Sequence, residues 1–238
     1  MDLIVQTLPL LARGLAATFQ LALITLAVAA LISVVFGLMG TSRRRSLRWS
    51  AMAFVEFFRD IPLVVNLLFV YFGAPLVGVP LEPFWAAVVS LSSWGGANGA
   101  EIVRGGFNAV SKHQRESAAA LGLKPWEVLY YVLAPQVLLP ILPPFTGLFS
   151  ILIQATSLAS LVGALEFFRT AQIIVERATL MTGHSPAFAV FGFVLCVYFV
   201  ICFSLATFTR RLERRLADRT SKRGMKVQSL KQEAAESI

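Results

Sequence analysis

The stretch GLAATFQLALITLAVAALISVVFGLMGTS, residues 14–42, contains no Asp, Glu, Lys or Arg, and its reading decides the fold. A helix crosses a bilayer with about 20 predominantly apolar residues, and this run exceeds that length. Residues 61–81, 83–100, 128–165 and 178–209 are also free of Asp, Glu, Lys and Arg. A water-soluble protein rarely needs an uncharged helix of such length, and it has no use for this many in one chain. Composition agrees. Of the 238 residues, 57% are hydrophobic and 14% charged, against about a quarter charged in a typical soluble domain. The chain is therefore read as an all-α integral membrane protein.

The spans are placed near residues 14–40, 57–76, 83–104, 142–163 and 186–209. The first is expected to persist rather than be cleaved, because Met1, Asp2 and Arg13 provide no positive n-region and the run is too long for an h-region. Residues 1–13 are read as an extracytoplasmic segment and 14–209 as the membrane domain. The run 128–165 is too long for one helix, and Pro135, Pro140, Pro143 and Pro144 are expected to break it into a cytoplasmic or interfacial helix followed by the span proper. Residues 165–183 are amphipathic and are assigned to the outer surface. Cys196 and Cys202 both fall in the last apolar run, so they are read as packed thiols and say nothing about redox compartment.

Orientation follows from Lys and Arg, which keep short loops on the cytoplasmic side. Arg43, Arg44, Arg45 and Arg48 follow the first span, and Arg104, Lys112, Arg115 and Lys124 follow the third. The tail after Thr209 is rich in Arg and Lys, whereas the second-to-third connection holds only Glu82. The N-terminus is thus expected outside and the C-terminus in the cytoplasm. The net charge of +8 is explained by this topology and by attraction to anionic lipid, with no need of a nucleic-acid partner. Residues 210–238 are expected to form a basic tail that frays or is disordered from Leu216.

Residues 105–140 form the cytoplasmic loop that carries the most information. Ser111 followed by Gln114 reads as a capping box that starts a helix at Lys112. Gly122 is suited to the left-handed conformation that ends it, and Pro125 to the first turn of a return helix. Ala118, Ala119 and Ala120 sit beside Arg115 and Glu116, so a second surface can approach closely while the charges fix its orientation. Two readings remain open on these grounds alone, a solvated connector and a docking helix.

These residues carry a resemblance to a known family. Glu116-Ser117-Ala118, then Gly122, then Val132-Leu133-Ala134-Pro135 resembles the EAA motif of the permease subunits of bacterial binding-protein-dependent ABC importers, with Ser117 and Ala134 departing mildly from it. Phe58-Arg59-Asp60-Ile61-Pro62-Leu63 is similar to the F-R-G-T-P-L signature of the polar amino acid branch. Further similar segments follow in order at Ala100-Glu101-Ile102-Val103-Arg104, Ala120-Leu121-Gly122-Leu123, Thr156-Ser157-Leu158 and Phe167-Phe168-Arg169-Thr170-Ala171-Gln172. The resemblance implies a five-span permease in the bacterial inner membrane. It also implies a coupling helix, formed by Arg115, Glu116, Ser117, Ala118, Ala119 and Gly122, that docks on a dimer of cytoplasmic ATP-binding subunits. A second permease subunit, identical or not, and an extracytoplasmic solute-binding protein complete the implied assembly. The chain has no G-x-x-x-x-G-K-S/T phosphate cradle, so ATP is expected on the partner subunit and no cofactor on this one.

Polar groups within spans mark pathways or helix contacts. Asn66, Asn98, Gln154, Thr156 and Ser157 are the candidates. Where the resembled branch commonly has Lys-Asp or Lys-Asn before Thr-Ser-Leu, this chain has Gln154-Ala155, and Asn98-Gly99 replaces an aromatic and an aliphatic residue. The chain is therefore expected to supply an altered half of a pocket. Gly95 and Gly99 form a G-x-x-x-G face for close packing. Glu101 with Arg104, and Glu56 with Arg59, are spaced to pair on one helix face. His113 and His184 are isolated from each other and from cysteine, which argues against a metal site, and no Ser, His and acid set points to a nucleophile. A secondary transporter would show inverted repeats and mid-membrane ionisable groups, and an embedded enzyme a cluster of acid, base or metal ligands. Neither pattern is evident.

Overall fold

The structure is a computed structural model that describes residues 2–236, with side chains described for 4–212, 214 and 215. It is helical throughout. The chain order is α1 (Asp2–Gly40), α2 (Arg45–Asp60), α3 (Leu63–Gly73) with a 3-10 turn (Ala74–Val77), α4 (Pro83–Ala109) and α5 (Lys112–Ala120). There follow α6 (Pro125–Glu127), a π-helical segment (Val128–Leu133), α7 (Ala134–Ala155), a 3-10 segment (Thr156–Val162), α8 (Phe167–Thr182) and α9 (Ala187–Glu236). Helix α4 is the hub, packing against α1, α2, α3 and α7.

The α1–α4 seam is set by small residues. Thr25, Ala29, Ser33 and Gly37 recur every fourth position along one face of α1. Ser92, Gly96, Gly99 and Ala100 answer them from α4. A Cβ on Gly96 would lie 2.3 Å from Ile32 Cγ2, and one on Gly99 would lie 2.0 Å from Ser33 Oγ. Lipid tails are as apolar as leucine, so close van der Waals approach and interhelical hydrogen bonds hold such helices together. Ser33 Oγ donates to the Ala29 carbonyl at 2.6 Å and to the Gly96 carbonyl at 3.3 Å, and Ser92 Oγ donates to the Thr25 carbonyl at 3.3 Å. The expected Gly95/Gly99 face is divided between two neighbours, because a Cβ on Gly95 would meet Leu152 of α7 at 2.6 Å.

Ile4–Gly40, Pro125–Val162 and Ala187–Leu212 are each long and apolar enough to cross a membrane, and α2 with α3 makes a fourth if that bent pair is counted as one span. The expected second span, 57–76, is not a single helix. Ile61 and Pro62 are extended (ψ 130° and 133°), and the helices on either side meet at 103°. The cause is steric, since a proline disfavours helical geometry in the residue before it. The opposite correction applies to α7, which runs unbroken through Pro140, Pro143 and Pro144. In a membrane a broken helix exposes backbone groups that no water can satisfy, so helix continues where neighbours permit, and the irregularity moves to the π-helical turn before Pro135. Residues 2–13 belong to α1, and α9 continues to Glu236 through the tail where fraying is expected.

Glu166, between the last two expected spans, ties three regions together and is 2% exposed. Its carboxylate caps α8 by accepting from Phe168 N at 2.8 Å and Arg169 N at 2.7 Å. Thr18 of α1 donates to it at 3.3 Å and Tyr198 of α9 at 3.4 Å. Burial pushes the Glu166 carboxyl above the ordinary carboxylate range, and these four hydrogen bonds offset part of that rise. A carboxyl raised on folding gives stability that is full below its unfolded pKa and is lost as pH rises through the folded value.

Two outcomes follow for the isolated chain in detergent. Gly99→Val lowers stability by about 3 kcal/mol through overpacking against Ser33, whereas Gly105→Ala, with nothing within 4 Å of its added Cβ, gains up to about 1 kcal/mol; thermal unfolding followed by size exclusion measures both. In the same assay Glu166 lowers the native midpoint as pH is raised above the ordinary glutamate range, and Glu166→Gln flattens that slope.

Candidate functional site

Helix α5 stands between the ends of α4 and α6. Its start differs from the expected capping box. The Ser111 side chain makes no cap hydrogen bond, and Gln114 N–H donates instead to the Ser111 carbonyl at 3.2 Å. The spacing is that of the box, but the Ser111 hydroxyl is not engaged and the backbone closes a turn of its own in its place. The box-like bond appears at the next helix, where Glu127 Oε2 accepts from Lys124 N at 2.6 Å. The end of α5 is as expected. Gly122 has φ +82°, Leu123 N–H donates to the Ala118 carbonyl at 3.3 Å, and Gly122 N–H donates to that of Ala119 at 3.0 Å. This is a Schellman closure, which a residue with a Cβ enters only under strain.

The predicted coupling residues divide between two faces. Arg115 turns inward, and its guanidinium donates to the Phe107 carbonyl near the end of α4. Ala118 is 5% exposed and packs with Val103, Phe107, Val128, Leu133 and Val137. Glu116, Ser117 and Ala119 face outward, and Lys112 pairs with Glu116 at 3.1 Å. Alanine at 118 lets α5 lie close to the bundle, while Arg115 ties it to α4, the helix against which most of the others pack. Helix α5 thus rests on side chains of both α4 and α7.

The sequence reading missed what flanks this outer face. Leu121 is 83% exposed, and Trp126, Tyr130 and Tyr131 are also exposed. The Tyr130 and Tyr131 rings meet edge-on at 5.1 Å. Exposed aromatic side chains beside a charged helix at the end of a span suit the membrane interface as well as a partner. The available signal was a leucine at the residue before the helix-ending glycine, where no core lies below it.

The intramembrane candidates also separate. Asn66 is buried, and its Nδ2 donates to the Ser90 carbonyl at 3.1 Å, which makes it a link between α3 and α4. Thr156 is fully buried, with Oγ1 donating to the Ile153 carbonyl at 2.7 Å. In this conformation both side chains are buried among neighbouring helices. Gln154 is exposed and reaches Cys202 Sγ at 3.6 Å, and Ser157 donates to the Gln154 carbonyl at 2.7 Å. Asn98 lies apart from these, on a cavity of about 470 Å³ between the end of α2, α4 and α7. Arg59 and Glu101 line that cavity with it and also line a second, of about 250 Å³, against α1.

The charges at these helix ends pair only in part as expected. Arg104 Nε donates to Glu101 Oε2 at 2.8 Å. Glu56 and Arg59 do not pair; Arg59 instead interacts electrostatically with Glu101 of α4, without a direct hydrogen bond. Arg59 sits in the last turn of α2, where it lines both cavities together with Glu101. The sequence signal was Pro62, whose effect on the preceding residue ends the helix beside Arg59.

Comparison with known proteins agrees with this architecture. Over 211 residues the chain is 34% identical to the glutamine transport system permease protein GlnP of Escherichia coli (strain K12), covering 88% of this chain and 94% of that protein. It is 32% identical over 216 residues to the L-cystine transport system permease protein TcyB of Bacillus subtilis (strain 168), covering 90% of each. Among solved structures, a chain of an amino acid ABC transporter crystallised with histidines superposes with a TM-score of 0.79 at 28% identity, covering 89% of this chain and 96% of that one. A chain of the inward-facing MetNI methionine ABC transporter superposes at 0.73 and 20% identity, covering 89% and 98%, and so shares the fold. Residues 29–218 match the family described as binding-protein-dependent transport system inner membrane component. The chain belongs to this family of inner-membrane transport permeases.

Proposed function

We propose that this chain is the membrane-spanning subunit of an ATP-driven, binding-protein-dependent importer of amino acids or related small polar solutes. The observation that carries the reading is the outward face of α5. Glu116, Ser117 and Ala119 form a low, charged ridge beside the exposed Leu121, and this ridge is anchored from below by Arg115 and Ala118. Such a surface suits a groove on a cytoplasmic ATP-binding subunit. Two of these subunits would serve a pore built from this chain and a second permease, with solute handed over by an extracytoplasmic binding protein.

The topology that goes with it has five spans, an outside N-terminus and a cytoplasmic C-terminus. Helix α4, too rich in Gly, Ser and Asn to face lipid comfortably, counts as the third span because its neighbours shield it. Among the intramembrane candidates, Asn98, Gln154 and Ser157 remain available to a solute, while Asn66 and Thr156 would reach it only after the helices move. The chain performs no bond chemistry. Its work is to convert ATPase closure, received at α5, into a change in how α4 and α7 lie against the second permease.

Three measurements on the assembled transporter test this. Ala119→Trp and Glu116→Lys each lower ATP-driven solute uptake by at least about tenfold, as expected when a central interface contact worth about 1.4 kcal/mol or more is lost. Cysteine at Ala119 crosslinks to the ATP-binding subunit, and a chain that never crosslinks there contradicts the reading. Cysteines at Glu82 and Ser111 are labelled by an impermeant thiol reagent from opposite sides, outside and cytoplasmic respectively; the same side for both overturns the topology.

A further inference from the structure

We propose that the groove between α1 and α8 is a binding site for an anionic glycerophospholipid, in which Arg13 and Arg177 hold the phosphodiester and Leu10, Leu165 and Ile173 hold the start of an acyl chain. The groove has a volume of about 350 Å³ and is lined by all five of these residues, which is within the range of small-molecule sites, roughly 300–1,000 Å³. It lies on the flank of the bundle, because α1 continues from Arg13 back to Asp2, about 16 Å at 1.5 Å per residue. The inference goes beyond the importer reading. Only the leaflet, the outer one, rests on the topology proposed above, and the cysteines at Glu82 and Ser111 decide that separately.

The charge of the groove is of one sign. Arg13 and Arg177 are both exposed, and neither has an ion pair among the described residues. No acidic residue lines the groove. The acids of the neighbouring segment are engaged elsewhere: Glu166 is 2% exposed and accepts from Thr18, Tyr198 and two backbone amides, and Glu176 pairs with Arg169. Arginine is disfavoured in short connections on the extracytoplasmic side, so an unpaired pair facing one groove there calls for an anion. A guanidinium is a planar fork of donors that matches phosphate oxygens, and a phosphodiester has a non-bridging oxygen for each arginine. Packing holds the two helices in register. A Cβ on Gly14 would lie 2.5 Å from Thr170 Oγ1, so α8 rests on the backbone of α1 at the groove floor, and Thr170, Ile173 and Arg177 share one face of α8 at spacings of three and four.

The rest of the lining selects a lipid. Leu165 is 68% exposed and Leu10 40%, and with Ile173 they form an apolar wall beside the two cations. A free phosphate would satisfy the arginines and leave that wall uncovered. An acidic protein surface approaching from outside would meet the end of α1 before it reached the groove. A phospholipid covers wall and cations together. Arg13 directly precedes the uncharged run 14–42, so its guanidinium stands at the edge of the hydrocarbon, where long cationic side chains reach headgroups. One phosphodiester leaves one of the two positive charges over. A headgroup bearing an ammonium is therefore repelled, and an anionic lipid with an uncharged headgroup alcohol is preferred.

Native mass spectrometry of the assembled transporter, stripped of lipid in detergent, tests the site by titration with dioleoylphosphatidylglycerol, dioleoylphosphatidylethanolamine and dioleoylglycerol. Phosphatidylglycerol is retained most tightly. Arg13→Gln combined with Arg177→Gln weakens it by about tenfold or more, the scale of a lost charge-assisted hydrogen bond, and Lys at both positions restores part of the affinity. Both side chains are exposed, so the double variant keeps the native thermal midpoint. A phosphatidylglycerol with a photoactivatable acyl chain labels the segments that hold Leu10 and Leu165. Native affinity in the double Gln variant, equal retention of phosphatidylethanolamine or dioleoylglycerol, displacement of the lipid by an equal concentration of inorganic phosphate, or label absent from both segments overturns the site. A double Gln variant that keeps its lipid and loses the extracytoplasmic binding protein also overturns it, and makes this face a protein dock.

Discussion

The structure depends on how closely α1 and α4 approach. At Gly96 and Gly99 even a methyl group would overlap Ile32 or Ser33, so the side chains of α1 pack directly on the glycine backbone of α4. Water drives apolar surfaces together in soluble proteins, but a bilayer supplies no such force between two helices. Contact area and a few hydrogen bonds must replace it, and both require small residues. The hydroxyls of Ser33 and Ser92 can reach carbonyls across the seam only because nothing larger intervenes. With α1 fixed, α4 becomes a central post, and its remaining faces carry α2, α3 and α7. Asn98 and Glu101 sit on the side of this post, and α5 lies beyond its end.

How much of this was legible depends on the range of the interactions involved. Uncharged runs identify a membrane protein because span length is a property of one segment and the bilayer. The glycine stop of α5 is legible for the same reason, since Gly122 settles its own backbone conformation. The break within the expected second span was missed although Pro62 was in plain view, because apolarity continues across it while helical geometry does not. The prolines of α7 misled in the other direction, where neighbouring helices override a local preference. Burial is the least legible property. Nothing in the spacing of residues 111–122 distinguishes Arg115 and Ala118, which face inward, from Glu116 and Ala119, which do not, until the return helix gives the loop a floor.

Glu166 illustrates the same limit. In the sequence it is one charge among several in an amphipathic connection, balanced by nearby arginines. In the fold it is buried at the start of α8, held by two backbone amides and by hydroxyls from α1 and α9. Those partners are 148 and 32 residues away, and no local pattern announces them. Phe167 N–H in turn donates to Thr18 Oγ1 at 3.0 Å, so the first residue of α8 is tied to α1 by backbone as well as by side chain. The outer part of the bundle is thus secured by a polar knot, and the middle by a small-residue seam.

These two fastenings leave different parts of the molecule free to move. The knot joins α1, α8 and α9, and the seam joins α1 to α4, so α1 is common to both and is the fixed reference of the chain. Helices α2 and α3 meet α4 through side chains, with the Asn66 bond to Ser90 as a polar link, and they are separated by a sharp bend that can open or close without breaking helix. Helix α7 reaches α4 where Gly95 accepts Leu152 and Gly106 accepts Ile141, contacts of the same kind as Gly96 with Ile32. The α1 seam adds the Ser33 and Ser92 hydrogen bonds to them, so the α7 contact slides more readily. The cavity bearing Arg59, Asn98 and Glu101 lies between α2, α4 and α7, one fixed wall and two that can shift. Helix α5 is coupled to the ends of α4 and α7. A push on α5 that displaces α7 while α1 holds α4 in place would alter that cavity before any other part of the fold.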